Sequence, residues 1–410
     1  MAKVFSGRTI TAIDVGTTKI CVLVAQQVDK DHIEVLGVGK APSDGLKKGV
    51  VVDVARTIES IKCALKEAEL MSGHTIESAY IGISGGHIKS INSSGAVPIK
   101  TGQIRTSDIT NALAAAKAVQ VAEGQQILHV LPQYFQIDGG DKLHDPTDMH
   151  GVRLEVQAHI ITGSVASVQN LVNCCESAGV KVKDIVLEQL ASAAAVLSED
   201  EMELGVGVLD IGGGTSDLAL YQHGSIRHTM VLPVAGNHFT NDLAIGLRTT
   251  IKDAERIKTN HGVATDLLLD EDDIFEVEMA RGGKTKIVKQ SELIRILEPR
   301  AYELLALVKR EIDSKALHSL VTSGFVLTGG GSLLTGMKEL AQTVFEADVR
   351  VGTPRLQFGI AESLDSPMYA TGYGLLLHAL KLQGAGLGDS SGPLVKKVFA
   401  RMKSWIGDFF

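Results

Sequence analysis

Two stretches of this 410-residue chain carry the residue types of a phosphate and divalent-cation site. Ile10-Thr-Ala-Ile-Asp14-Val-Gly16-Thr17-Thr18-Lys19-Ile-Cys-Val-Leu and Val206-Gly-Val-Leu-Asp210-Ile-Gly212-Gly213-Gly214-Thr215-Ser-Asp217-Leu-Ala-Leu share one grammar. Each is a buried strand, then Asp, an aliphatic residue, Gly, a Gly/Thr turn and a second strand. Such a turn exposes consecutive backbone N–H groups with no side chain in the way, an anion nest suited to triphosphate oxygens. Asp14 and Asp210, at the strand ends, place carboxylates where a hydrated Mg2+ takes oxygen ligands through water. Either segment alone could be an ordinary hairpin with a left-handed glycine. Two copies in separate lobes can close on one nucleotide from both sides.

Three further segments complete the constellation. Phe325-Val-Leu-Thr-Gly329-Gly330-Gly331-Ser332 reads as a strand entering a glycine turn and then a helix, which lets backbone approach a flat base and ribose. Gly236-Asn237-His238-Phe239-Thr240 opens another helix. Glu255 and Lys258 share one helical face three residues apart, where they could bracket a nucleoside or form a plain surface salt bridge. No Gly-x-x-x-x-Gly-Lys-[Ser/Thr] occurs, which excludes a Walker-type site. The absence of Gly-x-Gly-x-x-Gly between a strand and a helix near the start argues against a dinucleotide fold.

The elements that must position these residues alternate between strand and helix patterns, the signature of sheets covered by helices. Thr9–Asp14 and Ile20–Ala25 read as strands, 54–71 as a helix with an apolar stripe, and Ala79–Ile83 as a short buried strand. Residues from Ser84 to about Thr162 read as a separate unit. It has a helix over 107–119 capped by Ser107-Asp108, strands near 126–130 and 159–162, and a loop over 138–150. A helix over 167–178, a strand over 182–187 and an Ala-rich helix over 189–197 follow. A second α/β lobe starts at Gly205; its acidic stretch Asp266 to Glu278 is expected as a solvated loop, before a helix over 291–317 and a strand over 323–328.

Composition bounds the class. Apolar residues at 44% and charged residues at 21% exclude a mostly disordered chain, and the length suits about two or three domains. A net charge of −8 makes the whole surface no match for nucleic acid. Cys21, Cys63, Cys174 and Cys175 lack zinc-site spacing and read as reduced thiols of a cytosolic protein. The first residues run into a strand pattern with no signal-peptide core, and no 18-residue apolar run is long enough to span a bilayer.

In this order the segments resemble the actin-like ATPase superfamily of actin, bacterial MreB, heat-shock chaperone ATPases and sugar kinases. They stand as first phosphate loop, connecting helix (187–197), second phosphate loop, adenosine loop, and a last connecting helix at Ala370-Thr-Gly-Tyr-Gly-Leu. More narrowly the chain is similar to the FtsA family of bacterial cell-division proteins over essentially its full length. Ile83-Ser-Gly-Gly-His-Ile-Lys, Val130-Leu-Pro-Gln-Tyr, Leu204-Gly-Val-Gly-Val-Leu-Asp-Ile-Gly-Gly-Gly-Thr and Leu297-Glu-Pro-Arg-Ala-Tyr-Glu-Leu carry that match. The resemblance implies an α/β actin-like ATPase fold, two lobes around a nucleotide cleft, with a displaced small α+β domain and a C-terminal amphipathic helix. It divides the chain into 1–83 with 163–200 and the final helix 359–382 (first lobe, 1A), 84–162 (displaced domain, 1C), 201–230 with 300–358 (2A), 231–299 (2B), a linker over 383–392 and a terminal helix over 393–410.

The same resemblance implies ATP and Mg2+ as cofactors, and Glu188, with Gln189 second, as the residue orienting an attacking water in what is at most a weak ATPase. As partners it implies further copies of the chain in an actin-like polymer, other division proteins, and the tubulin-like FtsZ. The short C-terminal peptide of FtsZ would be taken at Arg300, with Glu298 weaker.

The tail after the Gly/Ser linker is a separate signal. On a helical wheel starting at Leu394, Val395, Val398, Phe399, Met402, Trp405, Ile406, Phe409 and Phe410 fall with it inside an arc of about 160°. Lys396, Lys397, Arg401 and Lys403 occupy the rest, with a single acid, Asp408. A basic amphipathic helix bearing Trp and Phe suits an anionic membrane surface, each cation contributing about 1 kcal/mol. Docking on its own core or a partner is the alternative, which the flexible linker disfavours. The expected function is an ATP-binding adaptor polymerising on the cytoplasmic face of the cell membrane at the division site. A pilus-assembly adaptor of the FtsA-like kind and a small-molecule kinase are the alternatives.

Overall fold

Strands Thr9–Val15 and Lys19–Gln27 are apolar at most positions and buried almost throughout, as strands covered on both faces must be. They form an antiparallel hairpin with Asp14 opposite Cys21 and Val15 opposite Ile20. Ser78–Ile83 and then Lys181–Leu187 join it in parallel on one side, and Ile33–Pro42 and Phe358–Gly359 on the other, giving six strands. Helix Val54–Ser72 packs on this sheet; Asp53 accepts from the Arg56 N–H at its start, and Gly73 at φ 70° ends it.

The second lobe repeats the plan. Val206–Ile211 and Ser216–Gln222 form a hairpin with Asp210 opposite Asp217, flanked in parallel by Phe325–Thr328 and Val349–Val351 and antiparallel by Ser225–Leu232. Helices Gly236–Leu247, Gln290–Ser314 and Met337–Phe345 contribute to its own apolar core. Between the lobes' segments, Lys89–Pro98, Arg153–Ser164 and Gln125–Ile137 make a three-stranded antiparallel sheet. Helix Thr106–Lys117 covers one face over Ile109, Leu113, Phe135 and Val156, while Leu128, Leu131 and Ile161 join the first lobe's core.

This computed structural model describes residues 7–29, 32–269, 272–280, 285–355, 358–359 and 364–384. The linker from 385 and the amphipathic helix expected over 393–410 lie outside the described residues; 383 and 384 close the last turn of helix Ala370–Gly384.

Several sequence expectations change. Asp108 is not part of a cap at Ser107: helix Thr106–Lys117 starts after Arg105, whose N–H donates to Asp108 Oδ2 (2.9 Å). The strand expected near 126–130 runs to Ile137, because a register shift at Pro132 absorbs the missing donor. The acidic stretch is not all loop: Ile274–Glu278 pairs with Thr285–Lys289, with Glu276 and Glu278 exposed around buried Val277. The division expected between 299 and 300 falls inside Gln290–Ser314, which stays helical through Pro299.

Helices Glu188–Val196 and Ala370–Gly384 cross so closely that a Cβ at Gly374 would collide with the Ala191 carbonyl oxygen. Helix propensity alone makes Gly374→Ala stabilising by about 1 kcal/mol, whereas forcing the crossing apart costs roughly 1–3 kcal/mol. The urea midpoint of Gly374→Ala is therefore expected to fall; a midpoint at or above wild type would contradict the close crossing.

Candidate functional site

Both hairpin turns close by the same bond, Gly16 N–H to Lys19 O (3.1 Å) and Gly212 N–H to Thr215 O (2.9 Å). They line a single cavity of about 450 Å³ between the lobes. The turns nearly touch: a Cβ on Gly213 would collide with Thr18 Oγ1, and one on Gly214 with Thr17 Oγ1. Only glycine allows that approach. Thr18 Oγ1 donates across the cleft to Asn237 Oδ1 (3.2 Å), while the Gly236 and Asn237 N–H groups bind Gly212 O and Gly213 O (3.0 and 2.8 Å). Helix Gly236–Leu247 is thereby pinned to the second turn.

Asp14, Glu188, Asp210 and Asp217 all reach this cavity, with Lys19 as the cation among them. Lys19 Nζ donates to Met368 O (2.8 Å) and stands 4.3 Å from the centre of the Tyr369 ring. Asp210 accepts from Ser192 Oγ and Thr371 Oγ1, one hydroxyl from each connecting helix. Asp217 accepts from Ser84 Oγ (2.6 Å) and Thr215 Oγ1 (3.0 Å). Burial raises all four carboxyls. Asp14 is pushed up to about 6 by burial, with Lys19 opposing and Asp210 adding to the rise. Asp217 goes to about 7, again by burial, partly offset by the Ser84 hydrogen bond. Glu188 rises well above the usual range through burial and the charges of Asp14, Asp217 and Asp210. Asp210 rises through burial against its two hydroxyl donors.

Among the described residues no three His, Cys, Asp or Glu groups stand close enough to chelate a metal directly. A cluster of carboxylates at one roomy cavity fits a cation held through water.

The rest of the predicted set gathers at the same cavity, with two exceptions. Glu255 and Lys258 line it as a 2.7 Å pair rather than an isolated surface bridge; Lys258 Nζ also donates to Thr240 Oγ1 (2.9 Å) and Gly236 O (3.2 Å). Gly329, Gly330 and Gly331 form the opposite wall, Gly329 at φ 78° with no room for a Cβ beside Asp210 Oδ1. Ser332 does not reach it: its Oγ donates to Gly329 O (2.7 Å) and closes the turn. Gln189 is buried away from the wall, pointing off the helix face that presents Glu188. Glu188 is no solvent-exposed helix start; its Cγ would sit 3.0 Å from a Cβ at Gly82. Met368, Pro367, Thr259 and Thr335 also line the cavity and had no signal in the local sequence, while Phe239 and Thr371 do so from within motifs that gave them no role of their own.

A family model described as "Cell division protein FtsA" matches residues 207–374, and one described as "SHS2 domain inserted in FTSA" matches 85–162. The chain is 41% identical to a Pseudomonas aeruginosa cell division protein FtsA over 100% of both chains. It is 36% identical to the Escherichia coli protein of that name over 99% of this chain and 97% of the other. The chain belongs to the FtsA family.

FtsA membership makes it a cell-division protein, and the actin-like fold is seen in its solved structural neighbours. The structure titled "PilM-PilN type IV pilus biogenesis complex" superposes with a TM-score of 0.65 at 16% identity, covering 90% of this chain and 98% of that one. "MreB5 of Spiroplasma citri bound to ADP" superposes at 0.57 and 15%, covering 93% and 99%. At these identities the likeness is one of fold.

Arg300, expected at a peptide site, lies outside the cavity on the long helix. Its guanidinium is taken by Asp242 (Nε 2.6 Å, Nη2 3.2 Å) and Glu303. Glu298 is half-buried one residue before Pro299.

Because Asp14 and Asp217 keep protons in the folded protein that the unfolded chain has already released, the folded state binds more protons between about pH 4 and pH 7. The contribution of these two carboxyls to the stability of the ligand-free protein should therefore fall as pH rises through that window, while His159, lowered to about 3 by burial, acts in the opposite sense below about pH 6.5. Thermal midpoints measured from pH 5 to 8 are expected to show Asp217→Asn gaining on wild type as pH rises. A difference between the two that stays constant across that range would contradict this electrostatic account.

Proposed function

We propose that the cleft binds ATP with Mg2+, and that the protein polymerises on the cytoplasmic face of the membrane at the division site, links FtsZ filaments to it and recruits later division proteins. The convergence of the two glycine turns and four carboxylates on one cavity carries this reading. The residues fit the cofactor. Turn N–H groups at 17–18 and 213–215 would hold phosphate oxygens, Asp14 and Asp210 would orient the cation's water shell, and Gly329–Gly331 with Glu255 and Lys258 would flank the nucleoside. Mg2+ would supply the charge that lets these buried carboxyls stay ionised together. Glu188, held over Gly82, can orient a water and accept its proton only when ionised, so turnover would be slow where its carboxyl stays protonated. Structural relatives titled as bound to ADP and to AMPPNP support a nucleotide in this fold.

The membrane contact is assigned to the helix over 393–410 on its sequence pattern alone: Leu394, Val398, Phe399, Met402, Trp405, Ile406 and Phe409 inward, Lys396, Lys397, Arg401 and Lys403 toward headgroups. No described helix is long and apolar enough to cross a membrane. The FtsZ peptide is assigned to Arg300 and Glu298; an acidic peptide there would have to displace Asp242 or Glu303 from the guanidinium. A pilus adaptor shares the fold, but full-length relatives at 36–41% identity favour division.

Gly213→Val leaves every charged group in place yet drives a side chain into Thr18. Calorimetric titration with Mg·ATP is expected to show wild-type binding and at least about 100-fold weaker binding by the variant, a loss of ~2.7 kcal/mol; wild type without binding would end the nucleotide reading. Separately, Trp405→Glu should abolish co-sedimentation with anionic vesicles, and retention on them would remove the tail from that role.

A further inference from the structure

The inserted domain meets the cleft at two buried points. Ser84, the residue just before the matched 85–162 segment, follows strand Ser78–Ile83 and donates to Asp217 Oδ1 (2.6 Å). His129, on strand Gln125–Ile137, is fully buried and its Nε2 accepts the N–H of Leu187 (3.1 Å), the residue immediately before Glu188. Accepting at Nε2 places the ring proton on Nδ1. Leu187 offers no side-chain cap to helix Glu188–Val196, so the imidazole fixes the strand-to-helix corner from which Glu188 enters the cavity.

The same domain also grips the second lobe. Gln133 Nε2 donates to Ile226 O (2.9 Å) and Arg227 O (3.2 Å), Ser90 Oγ donates to Thr229 O (3.1 Å), and His159 Nε2 stands 2.9 Å from Thr229 Oγ1. These acceptors lie on Ser225–Leu232, the strand paired with the one carrying Asp217, where Asp217 faces Val231. A shift of Asp217 thus reaches the domain by two routes, and a shift of Glu188 by a third.

We infer that the inserted domain is coupled to the carboxylate cluster, with Ser84 and His129 acting as positioning residues that hold Asp217 and Glu188 in the cavity and pass their displacement to the domain. The coupling stands on these contacts; only the identity of the ligand that would drive it rests on the proposed nucleotide site.

Hydrogen exchange on the full chain tests it first without ligand. Ser84→Ala and Asp217→Ala should each speed exchange in Lys89–Pro98 by about tenfold. The double variant should be no faster than either single one, because both remove the same bond. Exchange in helix Met337–Phe345, which makes none of these contacts, should stay at the wild-type rate, which shows that the variants remain folded. His129→Leu should loosen Glu188–Val196 and Gln125–Ile137 together, and His129→Gln, whose side-chain oxygen can accept the same N–H, should restore both. In the second arm, Mg·ATP should change protection in Lys89–Pro98 of wild type, and Ser84→Ala should bind it without that change. Additive exchange effects, single variants that leave Lys89–Pro98 untouched, or wild type that binds Mg·ATP with the domain unaffected would each overturn the coupling. Wild type that binds no Mg·ATP would end the nucleotide reading, and the ligand-free cycle would still decide the coupling.

Discussion

Four carboxyl groups crowd around Lys19 in one cavity whose second ammonium, Lys258, is already paired with Glu255, and much of the surrounding structure offsets that imbalance. Like charges brought together in a low-dielectric site cannot all ionise at ordinary cost. Here Asp210 and Asp217 are met by four hydroxyls, Ser192, Thr371, Ser84 and Thr215, each from a different element. Hydrogen bonds of this kind stabilise the charged form but supply no counter-charge. Lys258 is taken up by Glu255, which leaves Lys19 to compensate, and Lys19 is itself partly engaged by a carbonyl and an aromatic face. The site is left short of positive charge, and a hydrated divalent cation is the chemistry that would meet the deficit.

The second constraint is steric. The lobes approach through glycine against threonine, Gly213 and Gly214 facing Thr18 and Thr17, so the two turns can frame one ligand only because one of them has no side chains. The duplicated hairpin supplies equivalent turn geometry on both sides, closed by matching Gly N–H bonds. The lobes are not interchangeable, however. Threonines furnish hydroxyls from the first turn, and glycines furnish the clearance from the second.

How much of this was legible in the sequence follows from the distance over which each signal acts. The hairpins were legible because Asp, Gly and the flanking apolar runs lie within a dozen residues and dictate their own conformation. The wall formed by Gly329–Gly331 and the pair Glu255–Lys258 was legible for the same reason. Ser332 sits in the right motif, but its hydroxyl is used by the turn itself, a choice that local sequence does not encode. The acidic stretch hid a strand because its alternation is carried by one buried residue, Val277, among exposed charges. Ser84 and Thr371 stand in motifs that carry the family resemblance, but nothing local marks them as donors, since their partners Asp217 and Asp210 lie 133 and 161 positions away. Arg300 was legible as a residue of interest but not as one already neutralised by Asp242 on a neighbouring helix.

Asp210 joins the steric constraint to the electrostatic one. Its hydroxyl donors, Ser192 and Thr371, sit on the two helices that cross at Ala191 and Gly374, so the crossing places both donors on one carboxylate. Any change in how the two helices pack therefore alters the donors on Asp210, and with them the balance of charge in the cavity. Gly374, which does not line the cavity, bears on that balance through the packing of the two helices alone.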